Sequence, residues 1–321
     1  MSFKSGYVSI IGRPNAGKST LLNALVGEKI AIVTQKPQTT RNRILGIVHV
    51  PARKGRQAGQ VILIDTPGVH KPDSILNKKM MQEVHDALED RDLILVIVDA
   101  TQKFGTGDQF VIDLAKRAGG KSFLLLNKID VLDKQKLLPL IEQYSKLHKF
   151  DEILPISAAK GQGLDKLLDA IVKVLPDGPR FFPADQVTDQ PERFLAAEIV
   201  REKVLQHTAQ EVPYATTVVV EQYKEEPRLT RIAATIFCER DGQKRILIGK
   251  GGEMLKKIGT AARYEIERMT GTKVFLELFV KVRADWRQSR HFVEELDWRK
   301  QLEQLGGNAN EHREDPEDAE E

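Results

Sequence analysis

Residues 7–11, 61–64, 93–98, 123–126 and 153–156 are apolar runs whose hydrophobicity is continuous rather than alternating. Continuous runs predict strands buried on both faces, and the amphipathic segments between them predict the covering helices. That is an α/β, doubly wound arrangement. Residues 43–50 alternate more and read as an edge strand, joined to the next strand by a hairpin loop over 51–60 whose basic residues read as solvated surface. A helix over 164–174 closes the pattern, and Pro176-Asp177-Gly178-Pro179 breaks the chain, so a first domain is predicted over 1–176.

Beyond a linker over 177–191 the pattern changes. A helix over 192–208, β-rich runs at 216–223 and 231–239, a glycine-punctuated helix pair, a strand over 273–282 and a terminal helix over 286–302 are predicted. Helices and strands no longer alternate strictly, which implies a small α+β domain over 192–303. Residues 311–321 of the tail (304–321) hold seven acids against Arg313, a net of −6, so a formal charge of +3 conceals about +9 on the rest. The tail is expected to be disordered. The lone Cys238 excludes an internal disulfide and a multi-cysteine metal site, as suits a reducing cytosol. There is no apolar run of membrane-spanning length, and Met1-Ser2-Phe3-Lys4 lacks a secretory core, so a cytoplasmic protein is expected.

The chemistry gathers at strand ends. Gly12-Arg13-Pro14-Asn15-Ala16-Gly17-Lys18-Ser19, followed by Thr20, fits the phosphate loop G-x-x-x-x-G-K-[ST] between a strand and the helical pattern Leu21, Leu22, Leu25, Val26. Its backbone N–H groups can cradle a polyphosphate, Lys18 can reach the β- and γ-phosphates, and Ser19 can ligate Mg²⁺. Asp65-Thr66-Pro67-Gly68 ends another apolar run: either Asp65 holds Mg²⁺ through water and the Gly68 N–H meets a γ-phosphate, or this is an ordinary strand exit. Asn127-Lys128-Ile129-Asp130 supplies base choice, because the Asp130 carboxylate can accept from two adjacent guanine donors where adenine presents an acceptor. The nucleotide is therefore GTP. Ser157-Ala158-Ala159 completes the order, with the N–H at 158 available to the guanine O6.

In the second domain, Ile248-Gly249-Lys250-Gly251-Gly252 lies between two helices and reads as the G-x-x-G loop of a KH domain, which clamps single-stranded RNA. Residues 241–290 carry twelve Lys and Arg against six acids, with Lys244, Arg245, Lys250, Lys256 and Lys257 nearest the loop. The groove for the bases is expected between the longer helix and residues 231–237. Trp286 and Trp298 read as core or RNA-facing, core being the simpler assignment. None of the seven histidines has metal-ligand spacing with another.

These motifs, with Gln38-Thr39-Thr40-Arg41 and Val69, resemble the Era family of translation-factor-related small GTPases with a C-terminal KH domain, over about residues 5–285. The resemblance implies a P-loop GTPase sheet followed by a type II KH domain. It further implies a Mg²⁺-dependent GTP-hydrolysing switch acting in small ribosomal subunit assembly and the maturation of 16S-type RNA, with the 3′-terminal region of that RNA as ligand. It places Thr39-Thr40 in a mobile switch, one hydroxyl closing on Mg²⁺ and Thr40 preferred; the residues alone show a polar loop. A peripheral contact with the inner membrane is also implied, although no amphipathic basic anchor stands out. A monomer, with no small-molecule substrate beyond GTP, is expected.

Val69 cannot orient water as the glutamine of Ras-type enzymes does. Asn15 either coordinates K⁺ against the β- and γ-phosphates or only braces the loop, and His70 is the next residue in line for the water. Two other functions stay in view. An RNA scaffold that does not hydrolyse is disfavoured because Lys18, Ser19, Asp65 and Asp130 are all present, and a P-loop kinase is disfavoured by the guanine motif and the RNA module.

Overall fold

The computed structural model describes residues 3–68, 73–89 and 91–300. In the first domain the order is β1 (Lys4–Gly12), α1 (Lys18–Val26), β2 (Ile44–Val50), β3 (Gly59–Asp65), α2 (Ile75–Ala87), β4 (Leu93–Asp99), α3 (Thr106–Ala118), β5 (Ser122–Asn127), α4 (Leu137–Leu147), β6 (Glu152–Pro155) and α5 (Leu164–Val174). One sheet runs β2-β3-β1-β4-β5-β6, parallel except for the antiparallel edge strand β2. The continuous apolar runs have their predicted meaning. Leu93, Leu95 and Ile97 face the helices α1 and α5, while Ile94, Val96 and Val98 of the same strand face α2, α3 and α4.

Register decides where the chemistry lands. Asp65 pairs with Ile10 and Asn127 with Asp99, so the carboxyl ends of β1, β3, β4 and β5 finish level and the loops after them share one edge.

The segment 177–191, read as a linker, is tied down. Gly178 N donates to Phe3 O at 3.0 Å, Ile47 N to Val187 O at 2.8 Å and Thr188 Oγ1 to Leu45 O at 2.6 Å, so the segment covers the free edge of β2. The hairpin loop at 51–60 departs from expectation. Its arginines are not simply solvated, because Arg53 and Arg56 reach Asp165 and Asp169 on α5 at 2.6–3.5 Å.

The second domain comprises α6 (Glu192–His207), β7 (Thr217–Glu226), β8 (Leu229–Cys238), α7 (Asp241–Ile248), α8 (Glu253–Thr270), β9 (Lys273–Val282) and α9 (Arg290–Glu295). Its sheet runs β7-β8-β9, with β8 antiparallel to β7 and parallel to β9. Helix α8 packs on β9 as well as on β8: a methyl on Gly259 of α8 would touch Leu278, while Ile232, Ala234 and Ile236 share a cluster with Ile258, Ala262 and Ile266. Residues 231–237 are therefore joined by β9 on the side that faces α8. The predicted terminal helix over 286–302 is instead a 3₁₀ turn at Trp286–Gln288 followed by the short α9, helical again from 298. The acidic tail lies outside the described residues.

Both tryptophans are core, and Trp286 joins the domains. It is fully buried against Leu76 and Met80 of α2 and against Phe292 and Val293. Charged pairs also cross between the domains: Lys29 reaches Glu202 and Glu265, Arg299 reaches Glu83 at 3.1 Å, and Lys79 reaches Asp297 at 3.2 Å.

One buried side chain also holds the middle of the segment 177–191. Gln60, with no exposed surface, accepts from Phe181 N at 2.7 Å and Phe182 N at 3.1 Å and donates to Phe182 O at 2.8 Å. Gln60→Leu strands those three groups and is expected to lower stability by about 1–3 kcal/mol. A urea midpoint equal to that of the wild type would show that this side chain does not hold the segment.

Candidate nucleotide site and RNA-facing surface

The phosphate loop is tight because its residues accept conformations that most sequences refuse. Gly17 caps α1 at φ +104°, where a side chain would also run into the Asn127 amide. Asn15 holds φ +62°, as asparagine does more readily than most, and its Nδ2 donates to Gln35 O at 2.7 Å. Asn127 spans the site from β5, donating Nδ2 to Ala16 O at 2.8 Å and accepting from Ala158 N at 3.0 Å. That second bond adds a partner that the sequence did not show. The N–H at 158, expected to be available to a guanine O6, is bonded to Asn127 within the protein.

Lys18, almost wholly buried, donates to Gly12 O and Arg13 O at 3.1 Å each, so the ammonium lies inside the loop. Burial pushes it down to about 8, against the pull of Asp65. Asp65 behaves conversely. Burial pushes its carboxyl up to about 6, opposed by Lys18 and by hydrogen bonds from Ser19 and Thr40.

Three oxygens converge here. Ser19 Oγ lies 2.6 Å from Asp65 Oδ2 and 2.9 Å from Thr40 Oγ1, and Thr40 Oγ1 lies 3.4 Å from Asp65 Oδ2. Asp65 Oδ1 is buried without a partner. An all-oxygen set with one carboxylate and an orphaned buried acceptor fits a hard divalent cation such as Mg²⁺. Thr39 points elsewhere, into its own loop, with Oγ1 bonded to Lys36 O at 2.7 Å.

A cavity of about 670 Å³ follows the loop from Arg13 to Thr20 and includes Thr40, Gly68 and Lys128. Gly12, Asp65, Thr66 and Pro67 stand behind its wall, and Thr66 Oγ1 is spent on Ile10 O at 2.7 Å. The base-recognition side is open. Asp130 is exposed in the turn after β5, and Asn127, Ser157, Ala158 and Ala159 lie off the cavity. Val69 and His70 lie outside the described residues.

Sequence reasoning missed Asp99, Gln102 and Asp108, which also line the cavity. Asp99 Oδ2 holds Lys128 Nζ at 2.6 Å and Asp108 holds Arg13 at 2.8 Å. Asp99 carried the same signal as Asp65, an acid at the end of a buried run. Nothing in the sequence marked Asp108 as Arg13's partner.

In the second domain Gly249 sits at φ +74°, where a methyl would press on Met254 N at 2.8 Å, and Gly251 and Gly252 follow with positive φ. The cations sit on three successive elements. Lys250 is in the loop and Lys244 and Arg245 are on α7, whereas Lys256 and Lys257 face outward from α8 in a shallow groove with His207 and Tyr264. Among the described residues none of the five makes an ion pair.

A guanine-type nucleotide cradle on a mixed sheet, joined to a helix–G-x-x-G–helix module, defines a P-loop GTPase carrying a KH domain. The family model described as "50S ribosome-binding GTPase" matches residues 7–128, and the KH domain model matches residues 211–287. A GTPase Era of Geobacter metallireducens is 53% identical over 298 residues, spanning 92% of this chain and 98% of that protein, and one of Staphylococcus haemolyticus is 45% identical over 92% and 97%. Two crystal structures superpose at TM-scores of 0.87 and 0.88, each 41% identical over 92% of this chain and 99% of the other. They are an Aquifex aeolicus Era variant bound to GDP·AlF4⁻ and an Era in complex with MgGDPNP and nucleotides 1506–1542 of 16S ribosomal RNA. The chain belongs to the Era family of GTPases.

Because Gly17 is constrained twice over, Gly17→Ala is expected to weaken binding of a fluorescent guanine nucleotide at least about tenfold while the protein stays folded by circular dichroism. Unchanged affinity would show that the loop does not need this geometry to hold phosphate.

Proposed function

We propose that this protein is a GTP-hydrolysing switch that binds small-subunit ribosomal RNA through its KH domain and acts in small ribosomal subunit assembly. The observation that carries the reading is the convergence of Ser19, Thr40 and Asp65 beside Lys18, on the same sheet edge as Asn127 and Asp130. The Era crystal structure with MgGDPNP and 16S RNA supports the RNA half.

In this reading the phosphate loop trades internal bonds for ligand bonds. Lys18 leaves the Gly12 and Arg13 carbonyls for the β- and γ-phosphates, and the N–H groups of residues 15–19 take the phosphate oxygens. Mg²⁺, when bound, neutralises phosphate charge, with Ser19, Thr40 and Asp65 as its protein partners. The Gly68 N–H meets the γ-phosphate. Asp130 accepts from guanine N1 and N2, while Asn127, already bonded to Ala16 and Ala158, keeps the base end registered to the phosphate end. A guanine O6 shares the Ala158 N–H with Asn127 or displaces it.

K⁺, if held at Asn15, would supply the positive charge that speeds hydrolysis. Asn15 uses its Nδ2 on Gln35 O, which leaves Oδ1 to coordinate the cation, so bracing and coordination coexist in one side chain. The protein acts in the cytoplasm as a monomer. Among the described residues no helix is long and apolar enough to cross a membrane. Contact with the inner membrane rests on the family resemblance, and flotation with anionic vesicles tests it.

Lys250, Gly249, Gly251 and Gly252 grip the RNA backbone, with Lys244, Arg245, Lys256 and Lys257 adding charge. Lys250→Ala is expected to weaken RNA binding across sequences and to reduce the slope of log affinity against log salt by about one unit or less, with GTP binding untouched. Lys54→Ala, at an exposed lysine in the β2–β3 loop, is the control. Equal effects of the two would remove the KH loop from the contact.

Multiple-turnover phosphate release is expected to be faster in K⁺ than in Na⁺ at fixed ionic strength, and Asn15→Ala is expected to lose that preference. No turnover in either salt, with or without RNA, would favour the non-hydrolysing scaffold. A K⁺ preference that survives in Asn15→Ala would move the cation's ligand elsewhere.

A further inference from the structure

Of the three oxygens that converge on the metal position, two are anchored by regular structure: Ser19 in α1 and Asp65 at the end of β3. Thr40 sits in the loop before β2, and a loop residue stays in register only if something fixes its backbone. Both of its sequence neighbours are fixed by the second domain. The Thr39 carbonyl accepts from Arg201 Nη2 of α6, and Arg201 is itself oriented by Glu198 at 2.6 and 2.7 Å. Arg41 donates Nη1 to Thr216 O at 2.7 Å and Nη2 to Tyr214 O at 3.4 Å, with its guanidinium 5.4 Å from the centre of the Trp286 ring. Trp286 is locked in turn by a 2.8 Å bond from Nε1 to Ala215 O and by Leu76 and Met80 of α2.

The grip extends upstream. Val33 N donates to Glu202 Oε1 at 2.9 Å, and Lys36 Nζ donates to the carbonyls of Leu205 and Thr208. Arg41 and Arg201 are 6% and 2% exposed, so these bonds are made out of water and their geometry is stiff. The clamp also has opposition built in. The two arginines lie near enough to repel, and Arg41 Nε and Arg201 Nη1 are buried without partners, costs that the bonds to the Thr39, Tyr214 and Thr216 carbonyls offset.

We propose that Arg41 and Arg201 are positioning residues for the Thr40 hydroxyl, so that the RNA-binding half of the chain completes the metal end of the GTPase site. The inference rests on the reading of Thr40 as a Mg²⁺ ligand. It assigns to the second domain a part in the nucleotide chemistry that is separate from contact with RNA. Thr40 is a γ-phosphate-side group, so the effect is confined to the triphosphate state; GDP, which lacks that phosphate, gains little from it.

The test uses the full chain and measures affinity rather than turnover. Fluorescent GMPPNP and GDP are titrated in Mg²⁺, and the Mg²⁺ midpoint is measured with GMPPNP, for wild type, Thr40→Ala, Arg41→Met, Arg201→Met, Arg41→Lys and the control Arg299→Met. The control loosens the Glu83 contact between the same two domains without touching residues 33–41. Arg41→Met and Arg201→Met are expected to raise the Mg²⁺ midpoint about tenfold while GDP affinity stays within about twofold. Arg41→Lys, which keeps the charge but loses the fork, is expected to fall between, and Arg41→Met added to Thr40→Ala is expected to cost nothing more.

If Thr40→Ala spares GMPPNP, the reading of Thr40 fails and this inference falls with it. If Thr40→Ala discriminates but the arginine variants weaken both nucleotides alike or neither, positioning fails and the reading of Thr40 stands. A control that reproduces the arginine effect would assign it to domain contact in general, which also overturns the proposal. Should an Arg→Met variant not fold, Arg41→Lys carries the comparison alone.

Discussion

A carboxylate buried at the end of a strand sets the terms for the whole nucleotide site. Asp65 has no exposed surface, one of its oxygens has no partner, and its nearest cation, Lys18, is itself pushed toward neutrality by burial. Two charged groups removed from water and incompletely paired are a standing cost. That cost is offset when a polyphosphate meets Lys18 and a divalent cation meets Asp65. The protein is thus built around a ligand whose charges it already anticipates, and the hydroxyls of Ser19 and Thr40 turn inward because the same carboxylate attracts them.

Everything that reaches this point does so through the level edge of the sheet. The register of β1 with β3 and of β4 with β5 brings the phosphate loop, Asp65, Asp99 and Asn127 to one height, and Asn127 then ties the base end to the phosphate end. Thr40 arrives differently, on a loop whose seat is α6 and the turn before β7. The second domain is therefore part of the architecture of the first. Trp286, wedged between Arg41 and α2, touches both the loop that carries Thr40 and the helix after β3, so a displacement of one is felt by the other.

The surface expected to meet RNA has the opposite character. Lys244, Arg245, Lys250, Lys256 and Lys257 have no acidic partners among the described residues, as suits groups whose counter-ions are supplied by a ligand. Where basic residues do have a structural use, as with Arg53 and Arg56 of the β2–β3 loop, acids on α5 stand opposite them. Pairing, rather than basic composition, separates the two kinds of surface.

The sequence by itself determined the strands, because a run such as Leu93 to Val98 that is apolar at every position is stable only with both faces covered. It also determined the phosphate loop, the guanine motif and the G-x-x-G loop, since each is a contiguous stretch whose chemistry depends on local backbone geometry. It did not decide that Thr40 rather than Thr39 turns toward Asp65, that Asp108 braces Arg13, that the Ala158 N–H is engaged by Asn127, or that β9 flanks α8. Each of those depends on a partner far along the chain, up to about a hundred residues away, and spacing carries no record of such contacts. The grip of Arg41 and Arg201 around Thr40 is the plainest case. Read locally, Arg41 is one more polar residue of a loop; its role appears only when the second domain closes over it and removes the water.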